Sequence, residues 1–167
     1  MRKILVSLLM VGMIGFINAQ AAFSGKNDMK FQIGANFQNG GTGIMTSFDY
    51  GLGESFSIGA QAGYLLGVKK VDGKNPDAGD RFDMKARFNA HLGNVLGLPA
   101  GMDVYPGLDL GLKNFGGHAG VRYFFKDGFG LFTEINFPIA RYKDAKGFEK
   151  LNNQFAVSVG ASFDITK

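Results

Sequence analysis

The stretch Arg81-Phe82-Asp83-Met84-Lys85-Ala86-Arg87-Phe88-Asn89-Ala90-His91-Leu92 decides the fold class. Every second position, from Phe82 to Leu92, is apolar, and every intervening one is charged or polar. A period of two puts the two sets on opposite faces of an extended chain. A helix of about 3.6 residues per turn would scatter both sets around its circumference. The stretch therefore reads as a strand with one apolar and one ionic face.

Seven more runs share the pattern. Towards the N-terminus, Met29, Phe31, Ile33, Ala35 and Phe37 alternate with Lys30, Gln32, Gly34 and Asn36. Ile44 to Tyr50 and Phe56 to Tyr64 follow. Beyond Leu92 come Met102 to Leu110, Ala119 to Phe125, Phe129 to Phe137 and Phe155 to Ile165. Eight alternating runs separated by turn residues predict an all-β chain, an antiparallel up-and-down barrel. Pro106 lacks an N–H, so a local bulge is expected there. Connections at Phe37–Gly43, Leu66–Asp80, Leu112–Gly117 and Arg141–Asn153 lie at one end of the strands, and those at Gly51–Ser55, Gly93–Gly101 and Lys126–Gly128 at the other.

Composition agrees. The 167 residues include 26 Gly and 17 Phe but no Cys and two His. Abundant Gly disfavours a helical bundle, and the absence of Cys excludes disulfides, thiolate metal sites and a cysteine nucleophile. No catalytic, cofactor or metal constellation emerges. The Gly-rich Gly40-Gly41-Thr42-Gly43 and Gly51-Leu52-Gly53 stand at strand ends with no helix to hold a phosphate.

Met1–Ala21 reads as a cleaved secretory leader: Arg2-Lys3, an apolar run to Ile17, then Ala19-Gln20-Ala21. Removing Arg2 and Lys3 from 18 basic residues leaves 16 against 14 acidic, a net +2 for residues 22–167 that gives no footprint for nucleic acid.

Alternation alone does not say which face lies inside. The polar face carries Gly34, Gly43, Gly59, Gly63, Gly107, Gly120, Gly130 and Gly160 among its charges, whereas solvated strand faces favour Thr, Lys or Glu. A narrow eight-stranded lumen needs small residues beside large ones, so the polar face is expected inside. The apolar face gathers Phe37, Tyr64, Phe82, Phe137 and Phe155 towards one rim and Tyr50, Phe56, Tyr123, Phe125, Phe129 and Phe163 towards the other. Phe48 and Phe88 fall between the bands. Two aromatic bands around an aliphatic belt suit the exterior of a transmembrane barrel. Lys30, Asp49, Arg81, Asp83, Lys85, Arg87, Asp103, Asp109, Arg122 and Glu134 then form a structural charge network filling the lumen. Asp103 and Asp109 are expected to pair with the neighbouring Arg-rich strand.

Leader, eight runs, and alternating long and short connections resemble the small eight-stranded outer-membrane barrels of Gram-negative-type bacteria, the OmpA membrane domain and OmpX. The closing Ser158, Gly160, Phe163 and Ile165 resemble the signal those proteins present to the barrel-insertion machinery; Thr166-Lys167 then follow. The resemblance implies a monomer in the cell outer membrane, with membrane lipid and the insertion machinery as partners and no cofactor.

Function then falls to the loops of a non-enzymatic barrel. Arg141, Tyr142, Lys143, Lys146 and Lys150 are candidate contacts for lipid phosphates or a partner, although a solvated loop accounts for the same residues. Two alternatives are a soluble periplasmic barrel holding an apolar ligand and an outer-membrane lipid-modifying enzyme. The contexts of His91 and His118 show no adjacent nucleophile for the latter.

Overall fold

The computed structural model describes residues 21–71, 73–126, 128–144 and 146–166. The leader read at Met1–Ala21 lies, apart from Ala21, outside the described residues. Eight antiparallel strands close into a barrel in the order β1 to β8: Met29–Gln38, Gly41–Gly51, Phe56–Val68, Phe82–Ala90, Met102–Gly111, Asn114–Lys126, Phe129–Arg141 and Ala156–Asp164. Each strand pairs with its sequence neighbours, and β8 closes on β1 from Lys30↔Asp164 to Gln38↔Ala156.

Closure is staggered. Following residue partners around the barrel from Gln38, the path passes Ala156, Asn136, His118, Gly107, Asn89, Ser57 and Gly51. It returns to β1 at Asp28, whose carbonyl accepts the Gly51 N–H, ten residues below its start. Such a stagger tilts the strands, and eight tilted strands enclose a space that side chains can just fill.

The two faces are sorted as the alternation requires. Ile33, Ile44, Phe48, Ile58, Met84, Phe88, Leu108, Leu131, Ile135 and Val159 are exposed on the outside. Lys30, Gln32, Asp49, Asn89, Asp109, Arg122 and Glu134 are each 2 % exposed or less on the inside. Outer rings meet across strands: Phe31–Phe163, Phe163–Phe129 and Phe129–Phe125 have centroids 6.3, 5.4 and 5.2 Å apart, forming one aromatic arc over β1, β8, β7 and β6. This arc lies at the end that also carries the first and last described residues, called here the termini end; the opposite one is the loop end.

Bulges sit near the rims, where a ladder can yield. Registers shift at Thr42/Gly43, at Phe115/Gly116 and at Phe124/Lys126, and none shifts at Pro106. The expected bulge there is corrected: Pro106 stays in register opposite Ala119. On its other side the β4–β5 ladder ends at Asn89↔Gly107, and the same register resumes where Leu92 N–H donates to Val104 O at 2.9 Å. The missing N–H thus costs one rung instead of an inserted residue.

The β5–β6 connection is also shorter than expected, only Leu112-Lys113. Gly40, with φ of 77°, turns β1 into β2 through the left-handed region that glycine enters without penalty. A short helix α1 (Ala78–Arg81) and a 3-10 turn (Gly147–Lys150) give shape to the two long loops.

Candidate functional site

The polar lumen is built in tiers. At the termini end, residues 22–28 fold back as a strap across the mouth. Ala22 N–H donates to Ala100 O at 2.7 Å, and the Phe23 ring stacks on His91 at 3.6 Å. The Ser24 N–H and hydroxyl both donate to Asp28. Asp28 in turn holds Lys30 Nζ at 2.6 Å, which also reaches Asp164 at 2.9 Å. The long Gly93–Gly101 connection acquires a structural role, because its Ala100 carbonyl anchors the strap.

Above the strap, His91 Nδ1 lies 2.7 Å from Asp103 Oδ2 and its Nε2 lies 2.8 Å from Ser57 Oγ. Arg122 donates to the same Asp103 oxygen at 3.0 Å and lies over the Tyr105 ring. Asn89 connects this tier to the next: its amide N–H donates to Ser57 Oγ and Asp49 Oδ1. Its carbonyl oxygen lies 2.7 Å from His118 Nε2, and His118 Nδ1 lies 2.8 Å from Asp109.

At mid-barrel Arg87 of β4 crosses the lumen to Glu134 of β7 at 2.7 Å and donates to Gln61 at 3.0 Å. Asn136 donates to Glu134 from above. Towards the loop end, Lys85 and Asp83 are 3.9 Å apart beside a polar cleft of about 30 Å³ bordered by Asn36, Gln38, Gln61 and Asn136. That is room for one or two water molecules.

Most of the predicted lumen residues meet here, with two corrections. Arg81 is not in the lumen; it ends α1 at the rim, where its guanidinium donates to the Pro76 and Leu66 carbonyls. The expected pairing of the β5 acids with the Arg-rich β4 is also corrected in part: neighbouring strands supply most partners, but Asp109 does not pair with Arg87. Asp109 stands opposite Arg87 in register but takes His118, and Asp103 takes His91 and Arg122. Among carboxylates, Arg87 has its bond to Glu134 and a 3.9 Å approach to Asp49. Asp28 and the strap were missed because they precede the first alternating run, and no period marks them.

Glycines stand where the large lumen side chains lie. A Cβ on Gly120 would overlap the Tyr105 ring, and one on Gly107 would overlap His118. Substituting Gly120 with Ala should therefore destabilise the barrel by about 1–3 kcal/mol, the usual range for overpacking. A urea titration of the folded chain measures it, and an unchanged midpoint would show that Tyr105 moves aside freely.

The closing residues divide between the faces. Ser158 is fully buried, Gly160 faces Gly34, and Phe163 belongs to the outer aromatic arc. Ile165 is exposed, and its N–H donates to Met29 O.

At the loop end, Arg141 closes β7 and donates from Nε to Asn153 O at 3.1 Å. Tyr142, Lys143, Lys146 and Lys150 are exposed. Lys143 pairs with Glu149 at 3.3 Å and Lys146 with Asp144 at 3.7 Å, both in solvent. Lys113 joins the two long loops by donating to Asp80 O and Leu151 O, and burial lowers its ammonium below the ordinary lysine value.

A closed barrel with exposed apolar skin and an ionic filling has relatives to compare. Residues 12–165 match the model of a family described as a family of unknown function, DUF6646. The chain belongs to this family. No curated protein matches it. Among solved structures, a barrel from "De novo design of transmembrane beta-barrels" superposes with a TM-score of 0.56 at 8 % identity, covering 84 % of this chain and 97 % of that one. At that identity the likeness concerns the fold. This DUF6646 member shares its barrel fold with a designed transmembrane β-barrel.

Proposed function

We propose that this DUF6646 barrel is an integral outer-membrane protein whose lumen is closed and whose contacts are made by its loop-end surface. One observation carries the reading: the sheet exposes Phe37, Phe48, Phe56, Phe82, Phe88, Phe125 and Phe137 while burying Lys30, Arg87 and Arg122. A chain folded in water reverses this arrangement, because exposed apolar area is unfavourable and buried charge is costly. Hydrocarbon outside and paired ions inside remove both penalties.

The termini end, with its strap, is assigned to the periplasmic side, and the loop end, which carries the long β3–β4 and β7–β8 loops, to the cell exterior. The Arg87–Glu134 crossing and the strap across the mouth support a lumen closed to solutes, with the protein acting as a wall element and docking surface instead of a pore. An apolar-ligand carrier would need an apolar interior, and this one holds Asp49, Asn89, Asp109 and His118 at its centre.

The test is insertion of the full chain into phosphatidylcholine vesicles. Expected results are co-flotation that survives carbonate, a folded band that shifts on heating in electrophoresis, and no ion flux above empty vesicles. Release by carbonate would replace this reading with the soluble periplasmic barrel.

A further inference from the structure

Charge is unequally distributed along the barrel axis. At the loop end, counting the last residue of β7 and the connections beyond the strands, the sequence places nine basic residues against five acidic ones: Lys69, Lys70, Lys74, Arg81, Lys113, Arg141, Lys143, Lys146 and Lys150 against Asp72, Asp77, Asp80, Asp144 and Glu149. Lumen charges run the other way. Lys30, Lys85, Arg87 and Arg122 face Asp28, Asp49, Asp83, Asp103, Asp109, Glu134 and Asp164. The net +2 of residues 22–167 therefore hides a positive rim above a negative filling.

Within the rim the excess is local. The β3–β4 loop balances its three lysines with Asp72, Asp77 and Asp80, leaving Arg81 as its one surplus cation. The β7–β8 loop carries Arg141, Lys143, Lys146 and Lys150 against two acids, and its two lysine pairs are solvent-exposed, so they neutralise little. Apolar side chains crowd the same arc. Leu112 is 64 % exposed, Ile139 57 %, Phe155 56 % and Tyr142 52 %. The Tyr142 N–H donates to Lys113 O, which sets the β5–β6 turn beside the head of β7. Exposed apolar residues thus continue the outer skin up to a cluster of solvent-exposed cations whose ion pairs are screened by water.

We propose that this arc, from the β5–β6 turn across the head of β7 to the β7–β8 loop, binds the phosphate-bearing headgroup of a membrane lipid. The acyl chains lie against Leu112, Ile139 and Phe155, and the phosphate lies at the level of Arg141, Lys143 and Lys150. The proposal rests on the membrane reading above. Surface cations near an anionic lipid each contribute about 1 kcal/mol, close to a fivefold change in association.

The full chain in phosphatidylcholine vesicles containing a trace of spin-labelled phosphatidic acid reads this directly, as the fraction of motionally restricted label relative to spin-labelled phosphatidylcholine. The wild type is expected to prefer phosphatidic acid, and the preference should fall with salt. Lys143→Ala with Lys150→Ala should lower it at least about fivefold. Lys69→Ala with Lys70→Ala, on the balanced loop, should leave it unchanged. A chain that floats with the vesicles yet shows no preference, or loses it equally in both double variants, overturns the headgroup site alone. A chain that does not float overturns the membrane reading and the site with it.

Discussion

Ala60→Arg should lower the stability of the barrel in vesicles by about 2–4 kcal/mol, the depth-dependent cost of a cation on the lipid face near mid-bilayer. Ala60 is exposed near the middle of β3, between Phe48 on β2 and Ala86 on β4. No counter-ion is at hand on that face, because its neighbours there, Thr46, Phe48, Tyr50, Ile58, Ala62, Met84, Ala86 and Phe88, are all uncharged. On a water-facing strand the same change would stay within about 0.5 kcal/mol, as surface substitutions usually do. The urea midpoint of the heat-modifiable folded band measures the difference. A loss below about 1 kcal/mol would place Ala60 in water. The position is diagnostic because Ala60 adds almost no packing of its own, so the effect reports the medium instead of a lost contact.

The reason Ala60 can be chosen so readily is that facing is a local property. A strand residue and its partner point the same way, so the polarity of Arg81 to Leu92 propagates to every paired strand once the sheet is antiparallel. The glycine-dotted polar face was legible for the same reason: Tyr105 needs Gly120 beside it, and His118 needs Gly107. Partner choice across the lumen was not legible. Neighbour pairing predicts Arg87 with Asp109, and their register agrees, but Asp109 bonds His118 and Arg87 reaches β7. Which tiers face each other is set by the ten-residue stagger of closure, a property of the whole circuit that no single run encodes. Arg81 failed for a related reason. It continues the alternation, but the ladder between β3 and β4 stops at Tyr64↔Phe82, and α1 takes the next residue to the rim.

The lumen tiers also predict an asymmetry between the two ends of their central ion pair. Arg87→Met should cost about 3–5 kcal/mol, the range for stranding a buried partner, and Glu134→Leu should cost less. With Arg87 gone, Glu134 loses its 2.7 Å partner and Asp49 loses its 3.9 Å neighbour, while Asp109 opposite keeps only His118. With Glu134 gone, Arg87 still has Asp49 and the Gln61 amide oxygen. Lumen carboxylates outnumber lysine and arginine seven to four, so losing a cation deepens an existing imbalance and losing an anion relieves it. The double variant Arg87→Met with Glu134→Leu also removes the stranded Glu134, so it should recover part of the loss of Arg87→Met. The rest persists because Asp49 remains, with Asn89 as its bonded donor. Urea midpoints in vesicles for the three variants form a double-mutant cycle. Equal single-variant losses, or full recovery in the double, would mean that Arg87 serves Glu134 alone and that the charge imbalance is compensated elsewhere.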